Sequence, residues 1–262
     1  MIFLAQLIST LPILVAILPI ILIGIFVYKK DKNKESSELL FKLFMGGVGS
    51  CFPAAFIGII LGNLFPEMDK MNVIQLLFYV FIVVALVEEF CKWFMLYRIS
   101  YNNGEFDTLY DMVVYASFVA LGFACFENIL YVMNNGIVTG LVRAVTAVPG
   151  HVCDGILMGS YLALAKFNYI KGNKKLSRKF IWMSLFIPAL THGIYDFCLF
   201  VGHPLFILIF IGFVIALFII CVQKVYDTSK NDIKFIYSNS FCTKCGNKVN
   251  TEYCTKCGNK NI

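Results

Sequence analysis

Apolar residues in this chain run in long, nearly uninterrupted blocks, without the strict alternation of a half-buried strand or the polar stripe of a surface helix. Crossing about 30 Å of hydrocarbon takes roughly 20 helical residues. Blocks that meet this length are read at about 2–28, 39–65, 72–98, 111–134, 137–165, 180–201 and 204–224. The pattern predicts an all-α polytopic membrane protein with about seven transmembrane helices, or eight if Pro149-Gly150 splits the fifth block into half-helices. It divides the chain into a helical domain at 1–224, a polar linker at 225–240 and a small module at 241–262. Gly58/Gly62 and Gly155/Gly159 have the spacing that lets two helices approach closely.

Composition sharpens this picture. Of 262 residues, 59% are hydrophobic and 15% charged, whereas soluble domains carry about 25% charge. The net charge of +6 does not gather into one basic patch, so no nucleic-acid partner is expected. The basic residues follow alternate spans instead. Lys29, Lys30, Lys32 and Lys34 follow the first, Arg98 ends the third, Lys166, Lys171, Lys174, Lys175, Arg178 and Lys179 follow the fifth, and Lys224, Lys230 and Lys234 follow the seventh. The opposite connections offer Lys70. This asymmetry predicts an outside N-terminus and a cytoplasmic C-terminus. The first block has its lysines after the apolar stretch, which reads as a retained anchor.

Six of the ten cysteines are scattered through apolar blocks, where they act as small hydrophobes. The other four form a repeat at a twelve-residue offset, Cys242-x-x-Cys245-Gly and Cys254-x-x-Cys257-Gly. Two such pairs offer four thiolates to one metal, and the glycine after each relieves a tight turn. A structural zinc is predicted at Cys242, Cys245, Cys254 and Cys257, the alternative being two disulfides. About twenty residues cannot build a core unaided, so the metal supplies the folding energy. Neither the partner of this zinc ribbon nor an oligomeric state can be read from the sequence.

The blocks also hold residues that hydropathy disfavours: Glu88, Glu89 and Lys92, then Glu127, then His151 and Asp154, then His192 and Asp196. An ionised Asp or Lys at mid-helix costs about 2.5–3.5 kcal/mol on insertion scales. Converted to depth at about 1.5 Å per residue, Glu88, His151 and His192 fall near the midpoints of their blocks, and Glu127 about five residues toward the outside. A shared polar layer is expected. Glu88 and Lys92, and His192 and Asp196, are four apart and share a helix face. Glu89 is turned about 100° from Glu88, so one glutamate is expected to do chemistry while the other pairs with Lys92 or a neighbouring helix, and spacing does not say which. Arg143 and the tyrosines at 131 and 195 read as interfacial or packing residues.

Taken in order, Glu88-Glu89-x-x-Lys92, Phe123-x-x-x-Glu127-Asn128-x-x-Tyr131, His151 after Arg143 and Pro149, and His192-x-x-Tyr195-Asp196 resemble the motifs of the PrsW family of membrane-embedded proteases. That family is distantly similar to the CAAX prenyl proteases and ABI proteins. The resemblance implies site-1 type cleavage of a membrane-anchored regulatory protein, such as an anti-sigma factor, in a bacterial cell membrane. For the mechanism, a glutamate at 88 or 89 is the natural base. His151, His192 and Glu127 can hold a catalytic zinc, or the histidines and Asn128 can bind water and oxyanion without metal. Lys92 and Asp196 support them. The rival class is a proton-coupled or ion transporter, which uses the same residue types but is usually built from internal repeats, and none is visible here.

Overall fold

The computed structural model describes residues 2–235, 240–242, 244–249 and 253–259. Along them run α1 (Ile2–Lys30), α2 (Ser37–Gly62), a 3-10 turn (Met68–Lys70), α3 (Val73–Phe78), a π-helical segment (Tyr79–Leu86) and α4 (Val87–Ser100). They continue with α5 (Leu109–Val145), α6 (Ala147–Ile170), α7 (Lys174–Phe200) and α8 (Pro204–Lys230), then β1 (Ser240–Phe241) paired antiparallel with β2 (Lys248–Val249). Local chemistry sets several starts. The Ser36 side chain accepts from Leu39 N, Asn72 and Gln75 form a capping box, and so do Thr108 and Asp111.

Among the described residues six stretches are long and apolar enough to cross a membrane, one fewer than the seven blocks of the sequence. The difference lies in Leu109–Ile170, which at 62 residues would be about 93 Å of straight helix. It is not straight. The chain breaks at Gly136 (φ 81°) and again at Thr146 (φ −121°, ψ −72°), and α6 then runs back antiparallel to the first part of α5, with Gly155 and Gly159 facing Ala116 and Met112. The stretch thus holds two membrane-length helices, 109–135 and Ala147–Ile170, joined by a half-helix at 137–145. At about 14 Å the half-helix cannot cross, so the fifth block is split without adding an eighth crossing. The break also precedes Pro149-Gly150. Pro149 sits in the first turn of α6, where its missing N–H would have had no helical partner.

The basic connectors meet at one end of the bundle. Lys32 Nζ donates to Lys230 O (3.0 Å), Ser36 N to Glu105 Oε2 (2.9 Å), Leu109 N to Ile233 O (3.2 Å) and Lys166 Nζ to Tyr101 O (3.1 Å). At this end burial pushes the Glu35 carboxyl up to about 9, and the Tyr115 hydroxyl donates to it. Helix α8 continues to Lys230, so part of the expected linker is helical. The chain beyond it is pinned by Phe235 N to Asp107 O (2.7 Å) and by the Lys234–Asp107 ion pair (2.7 Å). Residues 236–239 lie outside the described residues, as do 243, 250–252 and 260–262 of the ribbon.

Helices α5 and α6 form the enclosed centre, and large apolar side chains of α1, α2 and α8 such as Leu14, Phe56 and Leu208 face outward. Close approach depends on glycines. A Cβ on Gly47 would meet Val119 O at 2.0 Å, and one on Gly122 would meet Phe44 O at 1.9 Å, so α2 and α5 touch backbone to backbone. Gly155 and Gly159 do the same between α6 and α5, as their spacing predicts, while a Cβ on Gly58 would meet nothing within 4 Å. Gly122→Ala therefore forces two helices apart and is expected to lower stability by about 1–3 kcal/mol. Gly49→Ala, where a Cβ also meets nothing within 4 Å, is expected to be neutral or stabilising. Thermal unfolding in detergent compares the two.

Candidate active site

Four elements bring the polar residues together. The π-helical segment delivers the chain to Glu88, Glu89 and Lys92 in the first turns of α4, and such segments recur at functional sites. Helix α5 supplies Glu127 and Asn128, α6 supplies His151 and Asp154, and α7 supplies Thr191, His192 and Asp196. The imidazoles of His151 and His192 lie 5.2 Å apart, nearly perpendicular at 82°.

His192 stands between two glutamates. Its Nδ1 is 2.9 Å from Glu89 Oε1, and its Nε2 is 3.4 Å from Asp196 Oδ2 and 3.9 Å from Glu88 Oε2. The 100° offset between Glu88 and Glu89 did not send them to different places, because an imidazole presents nitrogens on two sides. Lys92 pairs with Glu89, three residues back, and not with Glu88 on its own stripe. Its ammonium also lies 3.3 Å from His151 Nδ1 and 4.3 Å from the Phe123 ring centroid. Since Lys92 can only donate, Nδ1 accepts, and His151 Nε2 carries the proton donated to Glu127 Oε2 at 2.8 Å.

Arg143 is not an interfacial residue. Carried inward on the half-helix, it donates to Glu127 Oε2 (2.7 Å) and Asn128 Oδ1 (3.1 Å), and its guanidinium lies 3.9 Å from the Tyr131 ring centroid. Asn128 is fully buried and also donates to Ala16 O (3.1 Å), so both ends of its amide are engaged. The Thr191 hydroxyl donates to Asp154 Oδ1 at 2.5 Å. The Thr191 and Arg143 contacts carry no one-dimensional signal beyond a polar residue near the rest.

A cavity of about 230 Å³ is bordered by Glu88, Glu127, His151, Asp154, His192 and Asp196, with Arg143, Tyr195 and Thr191 also on its wall. It reaches Met68 and Phe200, at the end of the bundle opposite the basic connectors. The polar layer is displaced toward that end. Because α6 begins at Ala147, His151 lies one turn from its start and not at the middle of the crossing. Glu88 and Glu89 each have a buried Oε2 without a hydrogen-bond partner.

Among the described residues the four C-terminal thiols cluster within 4.8 Å of one another, with Cys242–Cys257 and Cys245–Cys254 sulfurs 3.5 Å apart. A disulfide is about 2.05 Å long. Sulfurs bonded to one zinc at about 2.3 Å would stand about 3.8 Å apart in a tetrahedron. Each knuckle closes alike, Gly246 N to Cys242 O (2.8 Å) and Gly258 N to Cys254 O (2.7 Å), with positive φ at both glycines. Although burial opposes it, backbone N–H groups of Cys245 and Lys244 bring the Cys242 thiol down to about 6, and the Cys254 thiol is lowered in the same way.

The family model described as "PrsW family intramembrane metalloprotease" matches residues 35–223. The chain belongs to the PrsW family. Proteins described as Protease PrsW are 38% identical over 79% of this chain and 91% of the relative in Oceanobacillus iheyensis, and 34% identical over 86% and 94% in Clostridioides difficile strain 630. The Bacillus subtilis strain 168 relative is 37% identical over 69% of this chain and 78% of its own length. No solved structure matches. The protein is a multi-pass membrane-embedded protease.

The PrsW description implies a metal, and the donors fit one. Ligand atoms of Glu89, His151, Asp154 and His192 lie within 4.8 Å of one another, two imidazoles with carboxylates suit zinc, and the two orphaned carboxylate oxygens call for a further partner. Glu127, expected beside the histidines, is held by Arg143 and by His151 itself.

Two outcomes follow. Arg143→Gln leaves Glu127 short of its cation, an expected loss of about 3 kcal/mol readable as a lower unfolding temperature. Cys254→Ser with Cys257→Ser is expected to release one equivalent of metal per chain, measured by elemental analysis of the purified protein.

Proposed function

We propose that this protein hydrolyses a peptide bond of a membrane-anchored regulatory protein, an anti-sigma-factor-like substrate cut in site-1 fashion, with Glu88 as general base. The observation that carries the reading is the Glu88 carboxylate. One of its oxygens is buried without a hydrogen-bond partner, it borders the polar cavity, and it stands 3.9 Å from His192. Glu89, held by Lys92 and His192, is suited to fixing that imidazole.

Amide hydrolysis needs a base for the attacking water, compensation for the oxyanion and a proton for the leaving amine. Glu88 takes the water proton and returns it to the amine nitrogen as the C–N bond breaks. Arg143, which borders the cavity and has five N–H donors of which two serve Glu127 and Asn128, meets the developing negative charge. Asp196 and Glu89 hold the tilt of His192, and Glu127 and Lys92 that of His151; each ring has two nitrogens, so a bound metal would take the place of one of these partners. A zinc ion held by Glu89, His151, Asp154 and His192 would supply Lewis acidity that lowers the pKa of a bound water. In the ribbon, Cys242, Cys245, Cys254 and Cys257 would hold a second, structural zinc.

The basic residues gathered at one end support a reading in which that end faces the cytoplasm of a bacterial cell, with the N-terminus outside and the ribbon inside. The cavity, which reaches the other end, would then open outward, where a site-1 cut falls.

Reconstituted with a single-pass substrate, Glu88→Gln and His192→Ala should lower cleavage by about 10²- to 10⁴-fold, the range of a general base, while the protein stays in the membrane. Wild-type cleavage by Glu88→Gln would remove Glu88 as base. His151→Ala with His192→Ala should also release the metal equivalent that the cysteine variants retain.

A further inference from the structure

A second cavity of about 220 Å³ lies between α2, the π-helical segment and α5. It shares Tyr79, Val84, Glu88 and Glu127 with the polar cavity. Apart from those shared groups its wall is apolar, including Ala54, Gly58, Val83, Phe123, Phe126 and Leu130. Gly58 serves no helix contact, since a Cβ there meets nothing within 4 Å, whereas one on its pair-mate Gly62 would touch the Tyr79 ring at 3.7 Å. What lies above Gly58 is open space, and no packing requirement accounts for the missing side chain.

We propose that this cavity is the specificity subsite for the substrate side chain beside the scissile bond, that it takes a bulky apolar residue such as Leu, Met or Phe, and that Gly58 sets its depth. The proposal rests on the protease reading of Glu88. A peptide whose reacting carbonyl lies against Glu88 in the polar cavity is extended there, and its successive side chains point to opposite sides. The side chain directed toward α2 leaves the polar cavity past Glu88 and Glu127 and meets apolar surface. The continuity of the two cavities through these carboxylates selects a substrate side chain over a lipid tail as occupant. Chemistry and recognition would then meet at one residue: Glu88 carries the base on one side and marks the mouth of the subsite on the other.

The test uses full-length protein in vesicles with a membrane-anchored peptide library randomised around the cleaved bond, the products sequenced by mass spectrometry. Wild type is expected to enrich Leu, Met and Phe at one position flanking the cut. Gly58→Ala and Gly58→Leu should shift that position stepwise toward Ala and Gly, the ratio of bulky to small falling about 10- to 200-fold, as expected when a hydrophobic pocket loses methylene-sized space. The alanine Cβ enters open space, and an unchanged unfolding temperature verifies folding of both variants. An unchanged profile across the series would assign the cavity to lipid and overturn the proposal, as would an equal loss for every library member. Glu88→Gln run in parallel keeps the two readings apart. If it cleaves like wild type, the protease site itself is misassigned. If it is inactive while the Gly58 series leaves the profile unchanged, the subsite alone falls.

Discussion

Charge inside hydrocarbon persists only where other groups hold it, because the cost of an unpaired ion is several kcal/mol. In this protein five carboxyls, those of Glu88, Glu89, Glu127, Asp154 and Asp196, share one region with two permanent cations, Lys92 and Arg143. The carboxyls outnumber the cations by three, and only protons, imidazolium or a divalent cation can balance the remainder. The network therefore both binds the helices to one another and creates a demand for positive charge beside two imidazoles. No single helix could satisfy it: Lys92 of α4 reaches α6, His192 of α7 reaches α4, and Arg143 of the half-helix reaches α5.

That convergence depends on helices packed closer than ordinary side chains allow. Gly47 and Gly122 remove the Cβ atoms that would separate α2 from α5, and Gly155 and Gly159 do so for α6. With α6 laid along α5 in this way, His151 Nε2 comes within 2.8 Å of Glu127. Packing of the small residues and pairing of the charged ones reinforce each other, because a separation of even an ångström would break hydrogen bonds that hold charge at membrane depth.

Much of this was legible in the residues because a membrane enforces simple rules. Apolar block length gave the helices, lysine placement grouped the connectors that do meet at one end, and misplaced charge marked Glu88, Glu89, Glu127, His151 and His192. The Cys-x-x-Cys repeat is legible for a different reason, since two pairs at this spacing bring four thiols together, as the structure does. What escaped depended on backbone irregularity. The break at Thr146 lies three residues before Pro149, a position equally consistent with a kink inside one long helix, so block length alone runs the fifth span from 137 and sets His151 at mid-depth. The π-helical turns of Tyr79–Leu86 are apolar throughout and leave no trace in hydropathy. Pairing Lys92 with Glu89 over Glu88 is a matter of rotamer and neighbour, to which spacing is blind.

Arg143 shows how such an irregularity serves chemistry. As part of a continuous helix ending near an interface it would extend to water. Because Gly136 adopts φ 81° and the chain reverses into a half-helix, the guanidinium lies over Tyr131 and against Glu127 and Asn128. Non-helical backbone at membrane depth is tolerated only where it is enclosed by protein or borders a cavity, and this reversal borders the cavity on the side that reaches Met68 and Phe200. The break thus brings a permanent cation to the wall of a cavity rich in carboxyls, a cation that a continuous helix would have carried away from it.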